Sequence, residues 1–338
     1  MIRIAVAGYG YWGPKLARNI AEARECELAA ICDPLVGRLV LARQAHPGTH
    51  LTTDWPSLLC DPRIDAVAIA TPASTHFPMA MAALRAGKHV LVEKPLTRTS
   101  EQALALIRES ERCGLLLMVD HTFVFSPAVC ALREVLATGA IGTPCYYDAV
   151  RTALGLVRRD VNVVWDLAAH DLSILDYLLP APPSGLQATG AAPEPGAPEH
   201  MAYLTLTYPG AFIAHVHVSW LAPTKTRRLL IGGSQGSVSY DDLDPVEKVR
   251  VYEHPLETGA GTGEAAQRRL AQVWSPRLDA VEPLRVMVEH FAECVMRGRR
   301  PVTDGTAGLR VVRLLETASR ALATGERAAV APLERVVA

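Results

Sequence analysis

The sequence predicts an α/β Rossmann domain, a doubly wound parallel sheet, followed by a C-terminal α+β domain with a mainly antiparallel sheet. Three observations lead there. Short apolar runs alternate with helical patterns up to about residue 121. A glycine fingerprint, Gly8-Tyr9-Gly10-Tyr11-Trp12-Gly13, joins the first apolar run to the first helical pattern. Beyond it the chain turns to longer segments in which apolar and polar residues alternate, the period of a half-buried strand. The expected domains are therefore residues 1–121, which carry the dinucleotide fingerprint, and 122–338, the α+β domain.

The first domain is built as follows. Ile2–Ala7 reads as a buried strand, and the fingerprint follows at once, before a helix from Pro14 to about Arg24. In that context Gly8 permits the tight turn, Gly10 lets backbone approach a pyrophosphate, and Gly13 lets helix and strand pack closely. The helix N-terminus offers amide donors to phosphate. Glu27–Cys32 is the second strand, and Asp33 follows it where an acid binds the ribose hydroxyls of NAD. Arg38, five residues on, has the charge for a 2′-phosphate or a face for adenine, which keeps NADP as the lesser alternative. Asp65–Ala70 is the third strand, ending at Thr71-Pro72. A helix from Ala73 to Ala86 is closed by Gly87. His89–Val92 delivers Glu93-Lys94-Pro95, with Lys94 held extended by the following proline. Thr99 caps a helix to about Cys113, with Gln102 completing a capping box. Leu115–Val119 leads to Asp120-His121. Gly10, Asp33, Thr71, Lys94 and His121 thus all follow strand C-termini, where ligands bind in open parallel sheets.

In the second domain a helix spans Pro127–Thr138, a strand about Pro144–Thr152 and a helix about Val164–Leu179. Strands follow at Met201–Tyr208, Ala211–Trp220, Thr226–Gly232, Ser237–Tyr240 and Val246–Tyr252. Ala191–Pro198 and Thr258–Gly263 read as loops, and helices at about Val281–Arg297 and Thr306–Thr324 close the chain. Within the second helix Asp166 and His170 are four apart and share a face. A carboxylate beside an imidazole orients it and raises its pKa, which suits transfer of a proton to or from an oxygen.

Composition excludes other classes. A formal net charge of -1 and a pI near 6.8 leave no basic footprint for nucleic acid or an anionic membrane surface. No apolar run is long enough to span a bilayer. The seven cysteines are scattered without C-x-x-C spacing, and the first strand starts at once, so reduced thiols, no targeting segment and a cytoplasmic location are expected. No metal is expected either. His215 and His217 share a strand face, but no third ligand accompanies them.

Together these motifs resemble the Gfo/Idh/MocA family of NAD(P)-dependent oxidoreductases over nearly the full length. The resemblance rests on the Gly8–Gly13 fingerprint, Thr71-Pro72 with His76, Glu93-Lys94-Pro95-Leu96, Trp165–Asp171, Ser219-Trp220-Leu221 and Asp304-Gly305. The wording of Tyr11-Trp12-Gly13-Pro14 and of the stretch from Asp160 to Asp166 is similar to the branch acting on nucleotide-linked or decorated sugars. Ala169, where that branch usually has proline, is a departure. The resemblance implies NAD as cofactor, with Gly8, Gly10, Tyr11, Trp12, Gly13, Asp33, Arg38, Thr71, Pro72, His76, Glu93, Lys94 and His121 around it. It implies Lys94 and His170 as catalytic groups with Asp166 as the partner of His170. Substrate contacts are expected from Lys94, His121, Arg151, Arg158, Asn162, Trp165 and His170. It further implies homodimers or homotetramers assembled through the C-terminal sheet.

The expected reaction is hydride transfer between nicotinamide and a secondary alcohol or ketone of a sugar or nucleotide-linked sugar, such as oxidation at C3 or reduction of a 3-keto sugar. An inositol or cyclitol dehydrogenase is the alternative within the family. Outside it stand a catalytically idle dinucleotide sensor, disfavoured by the intact Lys94, Asp166 and His170, and a methyltransferase using S-adenosylmethionine, disfavoured by Glu93-Lys94-Pro95 and the second domain.

Overall fold

Apolar runs bounded by turn residues form one parallel sheet in the computed structural model, which describes residues 1–154, 161–179, 181–194, 196–254, 256–257, 267–268 and 270–330. The chain divides into two compact units, Met1–Phe125 with Val281–Val312, and Ser126–Ala280 with Arg313–Ala338.

The first unit holds six parallel strands: β1 (Ile2–Ala7), β2 (Cys26–Cys32), β3 (His50–Thr52), β4 (Ala66–Ile69), β5 (His89–Glu93) and β6 (Leu117–Asp120). Their order, β3-β2-β1-β4-β5-β6, is that of a doubly wound dinucleotide fold. Helices α1 (Gly13–Glu22), α2 (Val36–Ala45), α3 (Trp55–Cys60), α4 (Ala73–Arg85) and α5 (Ser100–Cys113) make the crossovers. β4 is buried throughout and β1 at every residue but Arg3, as the covered faces of a parallel sheet require. The Thr99 hydroxyl accepts the Gln102 N–H at 3.2 Å and so caps α5.

The sequence reading omits α2, β3 and α3, of which β3 and α3 are too short to show a period. It also ends the first domain at residue 121, whereas the unit runs to Phe125 and takes in 281–312. The physical reason lies at β6. Val119 N–H donates to Thr303 O at 2.8 Å, and the Thr303 hydroxyl donates to Val119 O at 2.7 Å, so a distant segment satisfies that edge. Nearby, a Cβ on Gly308 would lie 2.6 Å from the Val119 side chain, which shows how closely helix Gly305–Thr324 begins against the sheet.

The second unit is a nine-stranded sheet. It contains α6 (Pro127–Thr138), β7 (Pro144–Thr152), a π-helical turn (Val164–Ala168) running into α7 (Ala169–Leu178), β8 (Gly185–Ala191), β9 (Met201–Thr207), β10 (Ile213–Ser219), β11 (Thr226–Gly233), β12 (Gly236–Asp241) and β13 (Val249–Glu253). All named neighbours pair antiparallel except β7 with β10. β8 escapes a sequence reading because Gly-Leu-Gln-Ala-Thr-Gly-Ala has few strand-favouring residues. Along β10, Ala214, Val216 and Val218 are buried while Ile213 and His215 are exposed, so one face is covered and the other open. On that open face His215 meets the Thr205 hydroxyl at 3.1 Å and His217 stacks on Tyr203 with centroids 4.3 Å apart. Among the described residues no group of His, Cys, Asp and Glu is placed to hold a metal ion. No described helix is long and apolar enough to cross a membrane.

The covered face contains a charge pair. Arg151 of β7 and Asp171 of α7 form two hydrogen bonds of 2.8 and 2.9 Å, with both side chains about 5% exposed or less. Arg151, expected from the sequence to contact substrate, is instead a core residue: its fork is taken by Asp171. Removing one partner of such a pair leaves a buried charge uncompensated, which typically costs about 3–5 kcal/mol. Asp171→Ala should therefore lose stability on that scale in urea unfolding followed by far-ultraviolet circular dichroism. An unchanged unfolding midpoint would show that solvent reaches Arg151 without cost.

Candidate functional site

The loop after β1 is shaped by contacts that only glycine allows. Gly8 has φ of +92°, and a Cβ there would lie 2.5 Å from Ala70 O. A Cβ on Gly13 would lie 2.0 Å from Gly8 O, whereas one on Gly10 would meet nothing nearer than the Arg38 guanidinium at 3.7 Å. The turn is thus closed at Gly8 and Gly13 and open at Gly10, where a phosphate needs backbone access. The N-terminus of α1 carries the partial positive charge that favours an anion. Lys15 adds a full charge there, its Nζ 4.2 Å from the Tyr11 ring centre and 4.6 Å from that of Trp12.

Asp33 stands at the end of β2 and is fully buried. Its Oδ2 accepts Tyr9 N–H at 2.7 Å and Arg38 Nη1 at 3.2 Å, and its Oδ1 accepts Leu35 N–H at 2.9 Å. The carboxylate therefore ties the glycine turn to the start of α2 and holds the half-exposed Arg38 over that turn. These residues fit a dinucleotide: a glycine cradle, a helix N-terminus and an acid at the second strand end.

The loop after β4 carries Thr71 and Pro72. His76, in the first turn of α4, is 1% exposed, and its ring nitrogens lie 2.8 Å from Pro95 O and 2.9 Å from Thr71 O. Burial pushes its pKa down, against the two carbonyls. Both nitrogens of His76, a residue expected around the cofactor, face backbone carbonyls, so it braces the loops after β4 and β5.

β5 ends at Glu93, followed by Lys94, whose bond to Pro95 is cis. Lys94 is half-buried. Glu93 pairs in register with Asp120, the last residue of β6, so two carboxyl groups meet at one edge of the sheet. Burial first, then the charge of Asp120, drives the pKa of Glu93 well above the usual carboxylate range. His121 is 2% exposed, and neither ring nitrogen has a hydrogen-bond partner among the described residues. Burial first, then the Lys94 and Arg310 charges, push its pKa down to about 3. It is therefore a neutral imidazole whose unsatisfied nitrogens suit a ligand at the strand ends.

In the second unit Asp166 lies in the π-helical turn and His170 in the first turn of α7. The sequence reading assumes a regular helix here. The wider turn is one residue longer per hydrogen-bonded ring, a feature often found at functional sites. Asp166 Oδ2 accepts the Trp220 indole N–H at 3.2 Å. Two other residues expected to contact substrate have partners within the protein. Asn162 accepts Trp165 N–H at 3.2 Å and donates to Glu199 at 2.7 Å, so it caps the turn. The Trp165 indole donates to the Ser319 hydroxyl at 2.9 Å, so it anchors the turn to helix Gly305–Thr324. Arg158 lies outside the described residues.

Sequence reasoning passes over Asp120 as a functional residue. Its signal was a charged residue ending an apolar strand next to an already selected histidine.

The comparisons with known proteins follow this geometry. Residues 2–121 match the oxidoreductase family with an NAD-binding Rossmann fold, and 129–239 match the GFO/IDH/MocA C-terminal domain. The UDP-N-acetylglucosamine 3-dehydrogenase of Acidithiobacillus ferrooxidans is 32% identical over 92% of this chain and 94% of its own. The chain belongs to the Gfo/Idh/MocA family. A crystal structure of that Acidithiobacillus ferrooxidans enzyme superposes with a TM-score of 0.80 at 27% identity, covering 95% of this chain and 97% of that one. The NAD-dependent scyllo-inositol 2-dehydrogenase of Bacillus subtilis is 27% identical over 92% of both chains. The protein is an NAD-binding oxidoreductase with the domain pair of this family, Rossmann first and mainly antiparallel second.

With an adenosine ribose at the end of β2, the Asp33 carboxylate would repel a 2′-phosphate and the Arg38 guanidinium would attract one. Asp33→Ser removes the repulsion and frees Arg38, so the preference for NADH over NADPH should narrow or reverse in calorimetric titrations. NADPH binding more tightly than NADH to the unaltered protein would overturn the role given to Asp33.

Proposed function

We propose that this oxidoreductase interconverts a secondary alcohol and a ketone on a sugar or nucleotide-linked sugar, with oxidation at C3 or reduction of a 3-keto sugar as the leading case. The observation that carries the proposal is the gathering of Gly10, Asp33, Thr71, Lys94 and His121 at the C-terminal ends of parallel strands, with Lys94 directly after β5. The similarity to a UDP-N-acetylglucosamine 3-dehydrogenase supports the sugar class. A cyclitol is the second substrate class, supported by the likeness to the inositol dehydrogenase.

When bound, NAD(H) accepts or supplies the hydride. The glycine turn and α1 hold its phosphates, Asp33 its adenosine ribose, and Glu93 and His121 its remaining polar edge. Lys94 then binds the reacting oxygen and stabilises negative charge on it. His170 takes the hydroxyl proton in oxidation and returns it in reduction, and Asp166, fixed by Trp220, steadies the imidazolium. The enzyme works in the cytoplasm as a homodimer or homotetramer, with the open face of the second sheet, where Tyr203 and Ile213 are exposed, as the contact surface.

A panel of nucleotide sugars, free sugars and cyclitols, followed by absorbance of NADH, tests the class. Turnover on none of them would leave the idle sensor as the reading.

Two variants test the roles on the substrate so found. Lys94→Ala should remove most turnover while NADH affinity changes little, because the phosphate and ribose contacts lie elsewhere. Wild-type turnover would reduce Lys94 to a charged turn. His170→Asn should lose about 10²–10⁴-fold in kcat, the usual worth of a general acid–base group, and its pH–rate profile should lose the basic group's limb. A raised KM with that limb intact would transfer proton transfer to Lys94.

A further inference from the structure

The Glu93–Asp120 pair holds more than two carboxyl groups together. Asp120 is 2% exposed and accepts three donors. Oδ2 takes the Trp12 indole N–H at 3.0 Å, and Oδ1 takes Thr122 N–H at 3.1 Å and the Thr122 hydroxyl. Glu93 Oε2 accepts only Lys94 N–H at 3.2 Å, and its buried Oε1 meets no donor among the described residues. Two carboxyl groups side by side in register at a buried strand end do not both ionise without strong like-charge repulsion. The member rich in donors is stabilised as the anion, and the member poor in donors keeps the proton. Asp120 is thus the carboxylate and Glu93 the acid. The other charged or titratable groups facing this cluster are Lys94, next to Glu93, and His121 with Arg310 beyond it. Trp12 belongs to the glycine turn and Glu93 to the segment that bears Lys94, so Asp120 joins the two.

We propose that Asp120 is a positioning residue that ties the dinucleotide-binding turn, through the Trp12 indole, to a protonated Glu93 beside Lys94. The turn that takes the cofactor's pyrophosphate and the strand end that carries Lys94 then hold one spacing. The pair keeps a single negative charge, which offsets Lys94. Without Asp120 the indole loses its acceptor and the turn loses its fixed distance from β5.

The test uses the full chain without substrate and has two readouts. Infrared difference spectra of protein carrying ¹³C-labelled glutamate report a protonated glutamic acid. Calorimetric titration reports NADH affinity for the parent, Asp120→Asn, Trp12→Phe and the double variant. The parent should show the protonated band at neutral pH. Asp120→Asn should lose it, since an amide donor facing Glu93 favours the anion, and Trp12→Phe should keep it. Each single variant should bind NADH about tenfold more weakly, the scale of one hydrogen bond to a charged group. The double variant should be no weaker than either single one, because both break the same link. Absence of the band in the parent, NADH affinities equal to the parent's, or losses that simply multiply in the double variant would each overturn the proposal. Should Asp120→Asn fail to fold, the parent's band and the Trp12→Phe titration still decide it. Neither readout involves a sugar, so the result is independent of the substrate class.

Discussion

Six strands that all run the same way end on one edge of one sheet, and the first unit's chemistry depends on this. Parallel pairing sends the chain back through a helix after each strand, so every following loop opens at the same edge. The loops after β1, β2, β4, β5 and β6 bring together a glycine turn, an acid, a threonine, a lysine and a histidine from positions more than a hundred residues apart. No local interaction would assemble them.

The same edge buries polar groups, and burial makes each of them require a partner. Asp33 meets this with two backbone amides and Arg38, and His76 with two carbonyls. Asp120 meets it with Trp12 and Thr122. In low-dielectric surroundings such contacts fix geometry more firmly than packing does, because each alternative leaves a group unsatisfied. His121 is the contrast, buried with neither ring nitrogen satisfied among the described residues. The second unit follows the same rule with Arg151 and Asp171, where pairing is complete and the groups serve the core.

Much of this was legible in one dimension. The glycine turn, Asp33, the strand bearing Glu93-Lys94 and the Asp166/His170 spacing are local patterns, because each is set by a turn, a strand end or a helix period. The pattern change after residue 122 likewise announces a second sheet of different type. Expectations about side-chain roles fared worse where long-range partners decide them. Arg151 looks like an anion-binding fork until Asp171, on another element, takes it. His76 looks like a ligand contact until the Pro95 carbonyl appears across the fold.

The sequence by itself determined the alternation of elements, the cradle for a dinucleotide and the residue types available for hydride and proton chemistry, since these follow from periodicity, backbone freedom and side-chain chemistry. Only the tertiary structure decided that Thr303 closes the edge at β6, that Asn162 and Trp165 anchor a π-helical turn, and that Asp120 links Trp12 to Glu93. Hydrogen bonds between residues distant in the chain depend on register and burial. Those are properties of the packed sheet, which no single segment carries.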